Sequence, residues 1–379
     1  MVRLGDVATY INGYAFKPSD WSDTGLPIIR IQDLTGNSYQ ANRYNGEYSS
    51  KYEVNNGDVL ISWSASLGVY VWHGEKALLN QHIFKVVFNK EEISKNFFVY
   101  QVENILEKAA SEAHGATMKH LTKPVFDALP FYLPSIEEQR RIAATLDKVT
   151  DLISRRRQQL DKLDELVKAR FVEMFGDPAL NTRNCPIVPL KECLTSIESG
   201  KSFVCSNESR CGKWPAILKL SAVTYGKYIP NENKALLDAS QFVESMEIHK
   251  GDLLFTRKNT PELVGMAAFV YDSPEKLMMP DLIFRLNTNE KCSKIFLLNL
   301  INHRCFRNFI QNLATGSAKS MSNISKERLS NLKIYLPPIE YQNQFSAFAV
   351  QIEKIKTTIN SSLEKLETLK KALMQEYFE

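Results

Sequence analysis

The chain has 379 residues, of which 44% are hydrophobic and 24% are charged, so it is long enough for two or three globular domains. This composition excludes a disordered chain, a collagen-like chain and a small disulfide-framed protein. The 47 Lys and Arg residues exceed the 43 Asp and Glu residues by a net charge of only +4. Any contact with nucleic acid must therefore be local rather than spread along the chain.

The first part of the chain has the pattern of an α+β domain. Short runs rich in β-branched and aromatic residues, such as 26–31 and 83–88, are separated by Asn-Gly and Gly-Asp turns and predict strands. A helical stretch follows at 97–110. We therefore predict one α+β domain over residues 1–134.

After Pro134 the pattern changes to one long helix, which we predict as a separate segment over residues 135–176. Glu137 and Glu138 suit the positive end of a helix, and the Gly-Asp-Pro sequence that starts at Gly176 is a stop signal. Residues spaced alternately by four and three form the a/d seam of a coiled coil. The seam positions are Ile142, Leu146, Val149, Ile153, Arg156, Leu160, Leu163, Val167, Arg170 and Met174.

The second half of the chain repeats the first. A Y-L-P-x-I-E-x-Q block at 132–139 returns at 335–342, and this offset of 203 residues holds to the last residue. Weaker matches align 54–62 with 248–256. The counterpart of the helix predicted at 97–110 is a helix predicted at 295–311. The repeat predicts a linker at 177–187, a second α+β domain at 188–337 and a second long helix at 338–379. The matching seam positions are Phe345, Ala349, Ile352, Lys356, Ile359, Leu363, Leu366, Lys370, Leu373 and Tyr377.

Two long amphipathic helices in one duplicated chain are expected to pair with each other, because an isolated apolar seam is unstable in water. Pseudo-twofold symmetry would make this pairing antiparallel. The predicted fold is therefore α+β, with two α+β domains separated by an antiparallel coiled coil. Two similar domains on a rigid spacer suit a ligand with two separated features, and duplex DNA is such a ligand.

The order of domain, Y-L-P-x-I-E-x-Q block and long helix, occurring twice, resembles the specificity subunits of type I restriction-modification systems over essentially the whole chain. The resemblance implies that 1–134 and 188–337 are target recognition domains and that the helices set a spacer and dock the modification subunits. It implies partners: double-stranded DNA, two methyltransferase subunits and restriction subunits. The implied target is a bipartite asymmetric site that is methylated at adenine N6.

The chain itself is expected to be non-catalytic. It contains no Asn-Pro-Pro-Tyr or Asp-Pro-Pro-Tyr motif of adenine methyltransferases and no G-x-G-x-x-G motif. We therefore expect no cofactor in this chain and S-adenosylmethionine in the methyltransferase partner. Three alternatives stay open: a specificity polypeptide of a fused type II restriction-methylation enzyme, a stand-alone nuclease and a coiled-coil scaffold that binds protein only.

Residues that can pair with base edges or phosphates, in loops between the predicted strands, are candidate DNA contacts. Three arginines in the middle of the first long helix are candidates for contact with the spacer or a partner. The candidate DNA contacts are Arg30, Gln32, Trp63, Ser64, Asn80, Gln81, His82, Thr117, Lys119, His120, Lys219, Ser221, Arg257, Lys258, Asn259, Thr260, Ser317, Lys319, Ser320 and Asn323, and the three arginines are Arg155, Arg156 and Arg157.

The N-terminal residues, the apolar stretches and the cysteines indicate the cellular compartment. Residues 1–6 contain no apolar signal core, and the longest apolar stretch, at 263–271, is far shorter than the roughly 18 residues of a membrane span. The six cysteines lie in the second half without the spacing of a zinc site. We expect a soluble cytoplasmic protein with reduced thiols and no metal.

Overall fold

The computed structural model describes residues 1–36, 42–64, 66–112, 122–315 and 321–379. Two compact units divide the chain. The first unit contains Met1–Arg157 and Asn360–Glu379, and the second contains Gln158–Ile359. Each unit therefore combines one α+β region with a part of both long helices.

The helices of the described residues include two of 40 residues each, α5 and α10. Gly176 follows α5 with a positive φ of 79°, so the predicted stop signal ends this helix. The helices are α1 (Leu4–Val7), α2 (Ile31–Leu34), α3 (Lys95–Glu112), α4 (Lys123–Asp127), α5 (Ile136–Phe175), α6 (Ser221–Thr224), α7 (Lys294–Asn302), α8 (Arg307–Gln311), α9 (Lys326–Ser330) and α10 (Ile339–Phe378).

The strands are short, with two to six residues each. They are β1 (Val2–Arg3), β2 (Thr9–Asn12), β3 (Leu26–Ile29), β4 (Arg43–Tyr44), β5 (Glu53–Val54), β6 (Val59–Ser62), β7 (Gly68–Val71), β8 (Ala77–Leu79), β9 (Ile83–Val87), β10 (Pro130–Phe131), β11 (Ile187–Pro189), β12 (Leu194–Ser199), β13 (Ala216–Leu218), β14 (Asn233–Ala235), β15 (Leu253–Thr256), β16 (Lys258–Asn259), β17 (Ala267–Phe269), β18 (Leu277–Met278), β19 (Ile283–Thr288), β20 (Ser322–Asn323) and β21 (Lys333–Tyr335).

The two units contain matching sheets, of which the second has four strands in the first unit and three in the second. In the first unit an antiparallel sheet has the order β2-β9-β6-β7, and a second sheet has the order β4-β3-β8-β5 with β3 and β8 parallel. In the second unit the matching sheets are β12-β19-β15-β17 and β14-β13-β18, with β13 and β18 parallel. The duplication seen in the sequence is therefore a duplication of topology, as the predicted α+β fold requires.

Two predicted elements differ from the structure. The predicted strand 26–31 ends at Ile29, because the carboxylate of Asp33 accepts a 2.7 Å hydrogen bond from the backbone N–H of Arg30 and starts helix α2. The predicted helix 295–311 is broken into α7 and α8. Phe306, between them, is buried, and the guanidinium of Arg307 donates to the backbone oxygens of Gly265 and Val264, which holds α8 on a different path.

Both long helices contribute to the hydrophobic core of each unit. In the first unit, Leu146 of α5 and Met374 of α10 pack in one cluster with the aromatic residues of the α+β region. In the second unit, Phe171 of α5 lies 5.3 Å from Phe345 of α10, measured between ring centroids, and stacks on Phe296 of α7. The α+β regions are thus packed on both helices rather than on their own helix alone.

Within each unit the two long helices run antiparallel, as predicted. In the first unit, Arg157 of α5 contacts Glu367 of α10 at 2.7 Å, and Arg141, further towards the start of α5, lies over Tyr377, further towards the end of α10. In the second unit, Asp164 contacts Lys356, and Phe171, later in α5, contacts Phe345, earlier in α10. The seam positions of both helices are buried or half-buried, which confirms the a/d assignment.

The glutamine of each Y-L-P-x-I-E-x-Q block joins the start of a long helix to its α+β region. The side-chain oxygen of Gln139 accepts a hydrogen bond from the backbone N–H of Ser94 at 2.9 Å, and its amide nitrogen donates to the Pro134 oxygen at 3.0 Å. The side-chain oxygen of Gln342 accepts from Ser293 N–H at 2.9 Å, and its nitrogen donates to the Pro337 oxygen at 2.7 Å. Both glutamines are almost fully buried, so these bonds replace water completely.

Replacing Gln342 by Leu should lower the free energy of unfolding by about 2 kcal/mol, because the part-buried N–H of Ser293 and the buried oxygen of Pro337 lose their partner. Urea denaturation of the full chain measures this change. The control is Gln351→Leu, which alters an exposed glutamine of the same helix. Equal effects of the two substitutions would show that the buried hydrogen bonds do not carry this stability.

Candidate nucleic-acid interface

A groove with a cavity volume of about 380 Å³ lies on the α+β region of the first unit. It brings together residues from three parts of the sequence: the loop before β3, the start of α2, and the loop between β8 and β9. Five of the predicted DNA contacts line it. The lining residues are Phe16, Pro18, Trp21, Arg30, Ile31, Gln32, Asn80, Gln81, His82 and Ile83.

Backbone hydrogen bonds hold the groove in shape. Tyr14 N–H donates to the Leu79 oxygen at 2.8 Å, and Gln81 N–H donates to the Tyr14 oxygen at 3.0 Å. Gly13 permits this approach, since a Cβ at this position would lie 2.1 Å from the Asn80 oxygen. The chain segments that carry the candidate side chains are therefore fixed relative to each other.

The side chains of the groove combine aromatic faces with hydrogen-bonding groups. The guanidinium of Arg30 lies 5.3 Å above the ring of Trp21, and Gln81 Nε2 lies 3.1 Å from His82 Nε2. Gln32 has an amide that can pair with a base edge. Trp21 and Phe16 were missed by the sequence analysis; aromatic residues in the loop before a predicted strand were the signal available.

Trp63 lies beside this groove at the end of β6. Its ring stacks on Phe84 at 5.8 Å with an interplanar angle of 23°, and it lies 5.5 Å from the ring of His82. Ser64 is buried, and the Ser62 hydroxyl donates to the Ser66 backbone oxygen at 2.5 Å. Trp63 is half-buried, so one part of its ring reaches the surface and the other part belongs to the core.

In the second unit Arg257 has the position that Trp63 has in the first. Ser62 pairs with Ile83 and Thr256 pairs with Ile283 in the matching sheets, and the next residue is Trp63 or Arg257. The guanidinium of Arg257 lies 5.2 Å above the ring of Phe284. Its Nε donates to Asn323 Oδ1 at 3.3 Å.

The residues after Arg257 differ in exposure. Lys258 Nζ lies 3.9 Å from Asp281 Oδ2, and Asp281 Oδ1 accepts a 2.7 Å hydrogen bond from the Ser202 hydroxyl. Asn259 is buried, with its amide nitrogen donating to Thr224 Oγ1 at 3.1 Å and its oxygen accepting from Thr260 N–H at 2.8 Å. Thr260 is exposed. The amide of Asn259 is therefore engaged inside the protein, and its side chain positions the loop.

The remaining predicted contacts of the second unit form an ion-paired set. Lys219 Nζ lies 3.9 Å from Glu232 Oε2, and the Ser221 hydroxyl donates to the same oxygen at 2.7 Å. Both residues are half-buried. They lie at the end of β13 and the start of α6, as Arg30 and Gln32 lie at the end of β3 and in α2 of the first unit.

Six predicted contacts lie outside the described residues. Of the three arginines, Arg155 and Arg157 are exposed, Arg156 is half-buried, and Arg157 pairs with Glu367. The six are Thr117, Lys119, His120, Ser317, Lys319 and Ser320.

Within the described parts of the chain, no three His, Cys, Asp or Glu side chains are grouped so that they could hold a metal ion, and the cysteines are free thiols. No helix in these ranges has the length and apolar character needed to cross a membrane.

The duplicated α+β fold with paired long helices and two polar loop surfaces is that of a two-part recognition protein. The family model described as "Type I restriction modification DNA specificity domain" matches residues 1–165 and 188–369, so the chain belongs to this family. The chain is the specificity subunit of a type I restriction system, and such subunits are non-catalytic. These matches support this interpretation over the fused type II polypeptide, the nuclease and the scaffold.

Individual relatives agree with this assignment. The MjaVIII specificity subunit of Methanocaldococcus jannaschii is 25% identical over 99% of this chain and 90% of its own length, and the EcoKI specificity subunit of Escherichia coli is 22% identical over 99% and 87%. The EcoBI specificity subunit of Escherichia coli is 28% identical over 44% of this chain and 35% of its own length. The crystal structure of the S subunit from M. genitalium has the same fold, with a TM-score of 0.59 at 12% identity over 100% of this chain and 95% of that one.

Replacing Asn259 by Ala should lower the free energy of unfolding by about 1–3 kcal/mol, because Thr224 and the N–H of Thr260 lose a buried partner. Lys258→Ala is the control on the neighbouring residue and should change it by less than about 1 kcal/mol, since its ion pair is long and partly exposed. Urea unfolding of both variants measures the difference. A stable Asn259→Ala variant would contradict the positioning role.

Proposed function

We propose that each α+β region reads one half of a bipartite, asymmetric DNA site. The observation that carries this proposal is that the two units have the same sheet registers but different side chains at one equivalent surface position. Trp63 stacks on Phe84 in the first unit, whereas Arg257 stacks on Phe284 in the second. Because aromatic and guanidinium groups recognise different features of a base pair, the same fold with these side chains selects different sequences.

The long helices are proposed to set the spacer between the half-sites and to dock two methyltransferase subunits, with restriction subunits joining for cleavage. Arg155, Arg156 and Arg157 are the proposed contacts to the spacer phosphates or to an acidic partner surface. S-adenosylmethionine is proposed to bind to the methyltransferase subunits, which would modify adenine N6, and this chain is proposed to use no cofactor. The proposed DNA contacts outside the described residues keep their place in this scheme.

Deleting the gene should remove one split, asymmetric adenine-methylation motif from the host genome, because the specificity subunit selects the site that its partners modify. Single-molecule sequencing of DNA from the two strains measures this. Restoring the gene on a plasmid should restore the motif. A methylome that is unchanged by deletion, in a strain whose methyltransferase subunits are expressed, would contradict the proposal.

An ion cluster within the second unit bears on the proposed spacer. Lys356 occupies a seam position of α10, and its Nζ contacts Asp164 of α5 at 2.7 Å and Glu353 at 2.9 Å. Burial alone would lower the pKa of Lys356, but these two partners raise the pKa above its ordinary value. Asp164 also lies 3.7 Å from Lys227, in the loop after α6. Asp164 thus connects both long helices and the α+β region of its unit.

Replacing Asp164 by Leu should broaden the spacer lengths that are methylated and lower the free energy of unfolding, because Lys356 would remain as a largely buried charge without this partner. Glu367→Leu is the matched control, since Glu367 is the repeat equivalent of Asp164 and its ion pair with Arg157 is exposed on both sides. Methylation of a plasmid series with spacers varied by single base pairs measures the effect. An identical spacer range in the two variants would contradict the positioning role of Asp164.

A further inference from the structure

Arg257 has an unusually fixed backbone for a residue in a loop. Its N–H donates to the Leu282 oxygen at 3.0 Å, and its oxygen accepts a 2.8 Å hydrogen bond from Ile324 N–H. It directly follows β15, whose residues are all buried. The Cα of Arg257 is therefore held by the sheet on one side and by the segment that precedes α9 on the other.

The side chain of Arg257 is also fixed. Its guanidinium lies above Phe284, which is 1% exposed and belongs to the core of the second unit. Its Nε donates to Asn323 Oδ1, and the backbone of Asn323 is bonded to Thr315 in both directions at 2.9 Å. The plane and the rotation of the guanidinium are thus set by two groups that are themselves rigid.

Within the described residues, the Arg257 side chain donates a hydrogen bond only through Nε, to Asn323 Oδ1. Its two terminal nitrogens have no acceptor among the described residues, and Asp281 pairs with Lys258. Two parallel N–H donors in a fixed plane match the O6 and N7 acceptors of guanine in the major groove. Because a fixed fork also fits a phosphate, base substitution and salt dependence must distinguish the two ligands.

We propose that Arg257 recognises a guanine in the half-site read by the second unit, with Asn323 as a positioning residue. This inference rests on the proposed function, and it names the base and the donor atoms. The first unit has Trp63 at the equivalent position and so lacks this contact. The half-site of the first unit is not read by a guanidinium from this position.

The experiment uses the full chain bound to its methyltransferase subunits and a duplex that carries the methylated motif. Each guanine of either half-site is replaced in turn by 7-deazaguanine, which lacks the N7 acceptor. At one guanine of one half-site the wild-type complex should lose about 10- to 100-fold in affinity. Arg257→Gln should lose a similar factor on the normal duplex and nothing more on the 7-deazaguanine duplex.

Three variants complete the design. Arg304→Gln, which removes an exposed arginine of the same unit with the same change in charge, should bind as the wild type does. Asn323→Ala should lose several-fold in affinity at the same guanine, and Asn323→Asp, which keeps an acceptor for Nε, should restore it. A structural role alone would not make the Asn323→Ala loss depend on the guanine N7.

Three results would overturn the inference: a motif without guanine in either half-site, 7-deazaguanine effects that are equal in the wild type and Arg257→Gln, and a uniform loss on all sequences with a smaller salt dependence in Arg257→Gln. The last result would assign Arg257 to a phosphate. The measurements on wild-type protein decide the question even if Arg257→Gln does not fold. A wild-type complex without sequence-specific binding would overturn the proposed function itself.

Discussion

The rest of the structure depends on the way in which each α+β region shares its core with both long helices. Phe171 and Phe175, at the end of the first long helix, pack with Phe345 of the second helix and Phe296 of the second α+β region. The apolar residues of each α+β region pack in one cluster with residues of both long helices, so the two helices complete its core. Because a helix of one repeat completes the core of the other, neither repeat can be removed without exposing the second. The buried glutamines Gln139 and Gln342 fix the angle at which each helix leaves its region.

This shared core separates the parts that must stay constant from the parts that can vary. The sheet registers that place Phe84 and Phe284 are the same in both units, and so are the glutamine contacts. The side chain above each phenylalanine differs, Trp63 in one case and Arg257 in the other. A substitution at these positions changes what the surface can bind without changing a strand pairing. Recognition can therefore diverge between the repeats while the frame is kept.

The sequence predicted the long helices and the duplicated fold better than it predicted the roles of individual surface residues. Repeats and the heptad seam are properties of many residues at once, so the two long helices and their antiparallel order could be derived from them. The role of a single polar residue depends on loop geometry that no local pattern contains. Asn259 was grouped with its neighbours Arg257 and Lys258 as a DNA contact, yet its amide is bonded inside the protein to Thr224, 35 residues away. Trp21 was not predicted as a site residue, because its place in the groove depends on the Arg30 side chain that lies above its ring in the folded protein.

The charged residue Lys356 at a seam position is explained by its partner on the other long helix. A buried charge in a coiled coil is costly unless it is paired, and it then favours the single register in which its partner is within reach. Lys356 has such a partner in Asp164, whereas Ile153, its repeat equivalent, fills the matching seam position with apolar surface. At this pair of equivalent seam positions, one long helix therefore has an apolar contact and the other has an ion pair. An ionic contact that also includes Lys227 joins the register of the helices to the position of the second α+β region, which an apolar contact confined to the seam cannot do.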